Sequence, residues 1–111
     1  MEMTNTMFED EIYQFDEFHL MLARNFAGNN ADRHFDIVNA LETGDIALAH
    51  RLAHNLKSNA GQLRKRKLQK VAGDIETNLE NGKNLVTAQQ LETLEKELKA
   101  AIEEFKIRIS N

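Results

Sequence analysis

A chain of 111 residues, 41% of them hydrophobic, is long enough to bury one ordinary core and little more. Its net charge of -4, spread over a 29% charged fraction with both signs intermixed, excludes a composition built for DNA or RNA. With no cysteine, disulfides and thiolate metal sites are ruled out, and with no proline and 5 glycines the chain favours long helices joined by short links.

The N-terminal MEMTNTMFEDEIYQF has no basic region leading into an apolar run, so it does not read as a signal peptide. No apolar stretch approaches the roughly 18 residues needed to span a membrane, and a cytoplasmic setting is expected. The first helix is predicted over 7–27, where Phe8, Ile12, Phe15, His19, Leu22 and Phe26 share a face and Gly28, Asn29 and Asn30 end it. A shorter second helix, 32–43, starts at the N-cap Asp32, uses Phe35, Val38 and Leu41 for its core face, and stops at Thr43 and Gly44.

Asp45 then caps a third helix, 45–63, and this segment carries the most informative residue. With His54 as the zero of a helical wheel, Leu48, Leu52, Leu63, Leu56 and Ala49 fall at about 120°, 160°, 180°, 200° and 220°. That apolar stripe must face the interior, so His54 must face water. Within about 60° of it lie His50, Arg51, Lys57, Ser58 and Gly61, which offer fixed cations and small side chains around an open nucleophile.

Carried past Leu63, the same wheel puts Leu68, Val71, Ala72, Ile75 and Leu79 near -45°, about 150° from the preceding stripe. One straight helix cannot bury both faces, so a break is expected in Arg64 to Lys67. The fourth helix, 67–81, folds back as a hairpin and ends at Asn81 and Gly82. Thr87 and Gln90 form a capping box for the fifth, 87–109, with core positions Leu91, Leu94, Leu98, Ile102, Phe105 and Ile109. The expectation is an all-α single domain over 1–111, an antiparallel four-helix bundle with an additional short helix.

Other candidate residues have simpler explanations. His50 and His54 have the spacing of two zinc ligands on a helix, but no third ligand is evident and Arg51 stands where a metalloprotease needs glutamate. His19 and His34 read as structural. The basic run Arg64, Lys65, Arg66, Lys67 with Lys70 is short and lacks aromatic residues for stacking, so it reads as a solvated turn able to attract an acidic partner. Tyr13, Leu20 and Met21 lie off the main apolar face of the first helix and admit two readings, scattered surface residues or part of a docking patch beside His54.

The string His54, Leu56, Lys57, Ala60, Leu63, Leu68, Ala72 and Glu76 resembles the signature of histidine-containing phosphotransfer domains: histidine, any residue, leucine, lysine, a small residue, then alanine, leucine and the next helix. The upstream ALETGDIALAHRLAH is similar to that family's usual lead into its active helix. Two positions depart from the pattern: Ser58 stands where the family has glycine four residues after the histidine, and Arg64 where it has glycine ten after. Serine keeps the surface low and adds a hydroxyl, whereas Arg64 leaves the turn to find its left-handed residue elsewhere.

The resemblance implies a phosphorelay. His54 would be the phosphoacceptor, Lys57 the phosphate-stabilising cation, and Ser58 and Gly61 the low part of the docking surface. The implied partners are response-regulator receiver domains and a hybrid sensor histidine kinase, with magnesium supplied by the receiver and no cofactor or metal of the chain's own. Arg51 is added from the wheel, and His50 as a modulator of charge. With neither a Gly-rich phosphate loop nor acidic residues set for magnesium, the chain should not use ATP by itself. A monomer is expected, with no nucleic acid bound and no membrane insertion. Two other classes compete: a helical adaptor that docks receivers without chemistry, and a small zinc hydrolase.

Overall fold

A computed structural model describes residues 16–110, and every regular element among them is helical. Five α-helices follow in order: α1 Glu17–Asn30, α2 Arg33–Glu42, α3 Ile46–Gln62, α4 Arg66–Asn78 and α5 Ala88–Ser110, with a short 3₁₀ turn at Glu80–Gly82. Helix α2 packs on α3 and α5, and α4 packs on α3 and α5, which closes a ring of four helices. The short second helix is therefore a wall of the bundle. Helix α1 packs on α5, where Phe26 meets Phe105 edge-on with ring centroids 5.4 Å apart.

The stripe on α3 is buried as its periodicity requires: Ala49, Leu52, Ala53, Leu56 and Ala60 face the core. Opposite them lie Leu68, Val71, Ala72 and Ile75 of α4 and Leu94, Leu98, Ile102 and Phe105 of α5. The phase break falls where it was expected, because α3 stops at Gln62 and α4 starts at Arg66. The capping box of α5 also forms, with Gln90 N–H donating to Thr87 Oγ1 at 3.1 Å and Thr87 N–H to Gln90 Oε1 at 3.0 Å.

Several expectations are corrected. Helix α1 does not stop at Gly28 but runs to Asn30, since Arg33 reaches back to the Asn29 carbonyl (2.8 Å) and the Asn30 side chain (3.2 Å). Asn30 is fully buried and its amide donates to the Phe26 carbonyl, so the polar end of α1 is satisfied internally. Phe35 is not a core residue; it is 67% exposed, and Ile37 and Ala40 take the buried face of α2. Asp32 occupies the N-cap position without a side-chain cap bond. Helix α4 ends at Asn78, three residues early, and Asn81 and Gly82 instead form the left-handed end of the 3₁₀ turn. Phe8, Ile12, Tyr13 and Phe15 lie outside the described residues.

The turn between α3 and α4 finds its left-handed residue in Arg64 itself, at φ 58°. Lys65 N–H donates to the Ala60 carbonyl (2.9 Å) and Arg64 N–H to that of Gly61 (3.1 Å), the pair of bonds that closes a Schellman end. The α2–α3 turn uses the same device with Gly44 at φ 79°, where Asp45 N–H bonds the Ala40 carbonyl at 2.8 Å. Asp45 then turns its carboxylate on Leu48 N–H (3.1 Å) and starts α3.

Candidate functional site

Helix α3 carries His54 to the surface with its side chain 52% exposed. The ring is not free to spin, because Nδ1 lies 2.7 Å from Oε2 of Glu76 on α4. A carboxylate can only accept, so the neutral imidazole keeps its proton on Nδ1 and its lone pair on Nε2. One ring nitrogen is held by the protein and the other is left as a nucleophile.

The second oxygen of Glu76, Oε1, accepts from Lys57 Nζ at 2.7 Å. The carboxyl is largely covered, at 12% exposure, whereas Lys57 is 36% exposed. Burial pushes the Glu76 carboxyl up, but the hydrogen bonds from Lys57 and His54 outweigh it and hold the group below the usual glutamate range. Glu76 is therefore an ionised bridge between the histidine and the lysine.

This grouping follows from the hairpin. Gly61 and Gln69, Lys57 and Gly73, and His54 and Glu76 lie four, eight and eleven residues on either side of Lys65. Those intervals keep one face of a helix, so the antiparallel pair of helices sets each residue against its mirror position. The Gln69 amide lies against Gly61, with its nitrogen 2.7 Å from where a Cβ on that glycine would sit.

The other candidates are placed as follows. Arg51 and Ser58 are exposed on α3. Gly61 is not the open spot that was expected, since Gln69 partly covers it. His50 lies one turn before His54 and lines a surface depression with Leu79, Glu80 and Gly82. Among the described residues, no group of three or more His, Cys, Asp or Glu side chains is arranged to hold a metal ion. His19 is structural: its ring Nδ1 and its backbone N–H both meet the N-cap carboxylate of Asp16, at 2.8 and 3.0 Å. The basic turn is only partly solvated, because Lys65 is tied to Glu104 of α5 and sits 5.5 Å from the centre of the Phe105 ring. Met21 is exposed and Leu20 half-buried on α1.

The sequence model of the Hpt domain family matches residues 21–105. The chain belongs to the Hpt domain family. Searches of curated proteins and of solved structures gave no match. Hpt domains serve phosphotransfer in two-component systems, interact with receiver domains of response regulators, and lack kinase activity of their own. No helix among the described residues of this Hpt domain is long and apolar enough to cross a membrane.

Glu76 stands in the family string, where the sequence alone assigns it no role. The signal was nonetheless present. Once the break was located at Arg64 to Lys67, folding α4 back on α3 sets the residue opposite His54 within about one position of Glu76. The cations expected to flank the imidazole on both sides resolve differently: Lys57 is drawn to Glu76, and Arg51 stays on the exposed surface.

Proposed function

We propose that this Hpt domain relays a phosphoryl group between aspartates of receiver domains through phospho-His54. The observation that carries the proposal is the Nδ1–Glu76 bond, which leaves an exposed Nε2 lone pair on a fixed ring. In the forward step Nε2 attacks the phosphorus of an aspartyl phosphate, the N–P bond forms, and the P–O bond to the aspartyl carboxylate breaks. The bonding pair leaves with that carboxylate. The proton stays on Nδ1, so the ring becomes cationic as it gains the phosphoryl dianion, and the Glu76 carboxylate stabilises the new charge. The reverse step, onto a second receiver, regenerates the neutral ring.

Lys57 supplies the cation for the phosphoryl oxygens, and Ser58, with its small side chain, allows a receiver backbone to approach. Magnesium for the transfer belongs to the receiver, and a hybrid sensor kinase is the proposed upstream donor. We also propose that the domain works in the cytoplasm, as a monomer, with Arg51 and His50 adjusting the charge around His54.

Incubation with a phosphorylated receiver is expected to yield an acid-labile, base-stable adduct that His54→Gln abolishes. An adduct that survives the substitution overturns the assignment. The adaptor reading predicts instead that the unaltered domain binds receivers and never acquires the adduct.

A further inference from the structure

We infer that Gly73 is a positioning residue for the phosphotransfer site: it opens the space on α4 through which the Lys57 side chain crosses to Glu76. The inference rests on the role proposed above for His54. Lys57 stands on α3 and Glu76 on α4, and the lysine closes the gap with a 2.7 Å bond to Oε1. Its stem passes directly over Gly73, one turn before Glu76. A Cβ built there would lie 3.1 Å from Lys57 Cδ and 3.8 Å from Cγ. Carbon atoms pack best at about 3.5–4.0 Å, so a side chain at this position presses the stem outwards by a few tenths of an ångström.

The backbone supplies no reason for a glycine at this position. Gly73 lies well inside α4, and the glycines with positive φ are Gly44 and Gly82. Inside a helix glycine is the least favourable residue after proline. A position that lowers helix stability and needs no special conformation is explained by what crosses it. Gly61 makes an instructive contrast: the group over it is the far end of the Gln69 side chain, which swings away cheaply. At Gly73 it is the middle of a lysine whose tip is already engaged.

The space matters because Lys57 and His54 share one carboxylate. A displaced lysine stem loosens the hold of one of the two donors on Glu76, and the carboxylate then turns more freely against the imidazole. Gly73 thus acts on the reacting ring through two intermediaries, without touching it.

The test is a double-mutant cycle. Gly73→Ala is expected to slow phosphoryl uptake from a phosphorylated receiver by about threefold to fivefold, the order of a partly exposed charge contact. Lys57→Ala is expected to slow it to a similar degree, and the double variant no further. The thermal midpoint of Gly73→Ala should equal or exceed that of the parent, because alanine favours the helix. A merely structural glycine would give slower transfer only through lower stability. In a second readout, ¹³C titration of the Glu76 carboxyl should move up towards the ordinary value in Gly73→Ala, and should not move further when the substitution is added to Lys57→Ala. Wild-type uptake by Gly73→Ala, or an equal loss in the Lys57→Ala background, overturns the inference. If the parent accepts no phosphoryl group, the proposed function fails, and the titration alone decides the role of Gly73.

Discussion

Replacing Glu76 tests the site most directly, because it removes the group that fixes the nucleophile without altering it. Glu76→Ala deletes a charge-assisted hydrogen bond of 2.7 Å to His54 Nδ1 and an ion pair of 2.7 Å to Lys57. A hydrogen bond to a charged partner contributes about 1.5–3 kcal/mol, and the half-exposed imidazole calls for the lower end of that range. With a factor of ten for each ~1.4 kcal/mol, phosphoryl uptake should fall roughly 10- to 30-fold. Glu76→Gln keeps an acceptor for Nδ1–H but not the charge, so the loss should be smaller, roughly 3- to 10-fold. Rapid-quench measurement of uptake from a phosphorylated receiver gives the rates. Long-range ¹H–¹⁵N spectra of the imidazole give the tautomer, which should be Nδ1–H in the parent and mixed in Glu76→Ala. An Ala variant that transfers at the parental rate with an unchanged tautomer refutes the assignment of Glu76 as the orienting group.

Three further outcomes follow from the same geometry. Lys57→Ala should slow transfer by about threefold to fivefold with the helical signal intact, and an unchanged rate would confine Lys57 to its ion pair with Glu76, with no part in transfer. Because Glu76 titrates below its ordinary value in the folded protein, its ionisation contributes stability above the unfolded value, and that contribution is lost as pH falls through the folded one. The stability gap between the parent and Glu76→Gln, followed by urea unfolding at stepped pH, should therefore close on acidification; a widening gap contradicts the sign. Arg64→Gly should raise stability by about 0.5–1 kcal/mol, since relief of a left-handed non-glycine residue outweighs the unfolded-state entropy that glycine adds. That corresponds to a thermal midpoint higher by roughly 2–4 °C, and a lower midpoint would mean that the contacts of the Arg64 side chain outweigh its backbone strain.

What the sequence revealed and what it concealed separate along a physical line. Features set within one helix were legible: the Asp45 cap, the Thr87–Gln90 box, the stripe that turns His54 outwards, and the change of phase at Arg64 to Lys67. Each depends on neighbours three or four residues apart, which periodicity reports directly. Features set between helices were not. Phe35 and Ile37 offer α2 two plausible apolar faces over ten residues, and only packing against α3 and α5 selects Ile37. Propensity disfavours Arg64 as a left-handed residue, yet the two Schellman bonds outweigh the cost of its conformation. Glu76 lies between these cases: its partners sit across a helix boundary, and only counting outwards from the break at Arg64 to Lys67 brings it opposite His54.

On the proposed relay, the arrangement around Glu76 lets one lysine serve both the resting and the phosphorylated site. An ammonium carries three donors, and in this structure Glu76 Oε1 engages Lys57 Nζ. On the reading proposed here, the carboxylate that orients His54 also holds Nζ, while further donors of the ammonium remain to meet phosphoryl oxygens as they arrive. Lys57 then need not abandon Glu76 to stabilise the product, and the ring keeps its orienting bond throughout. The cation formed on the imidazole, the carboxylate of Glu76, the ammonium of Lys57 and the phosphoryl dianion alternate in sign around the site. Each charge gained during transfer therefore meets a partner already in place, which is the condition for stabilising a transition state without reorganising the protein.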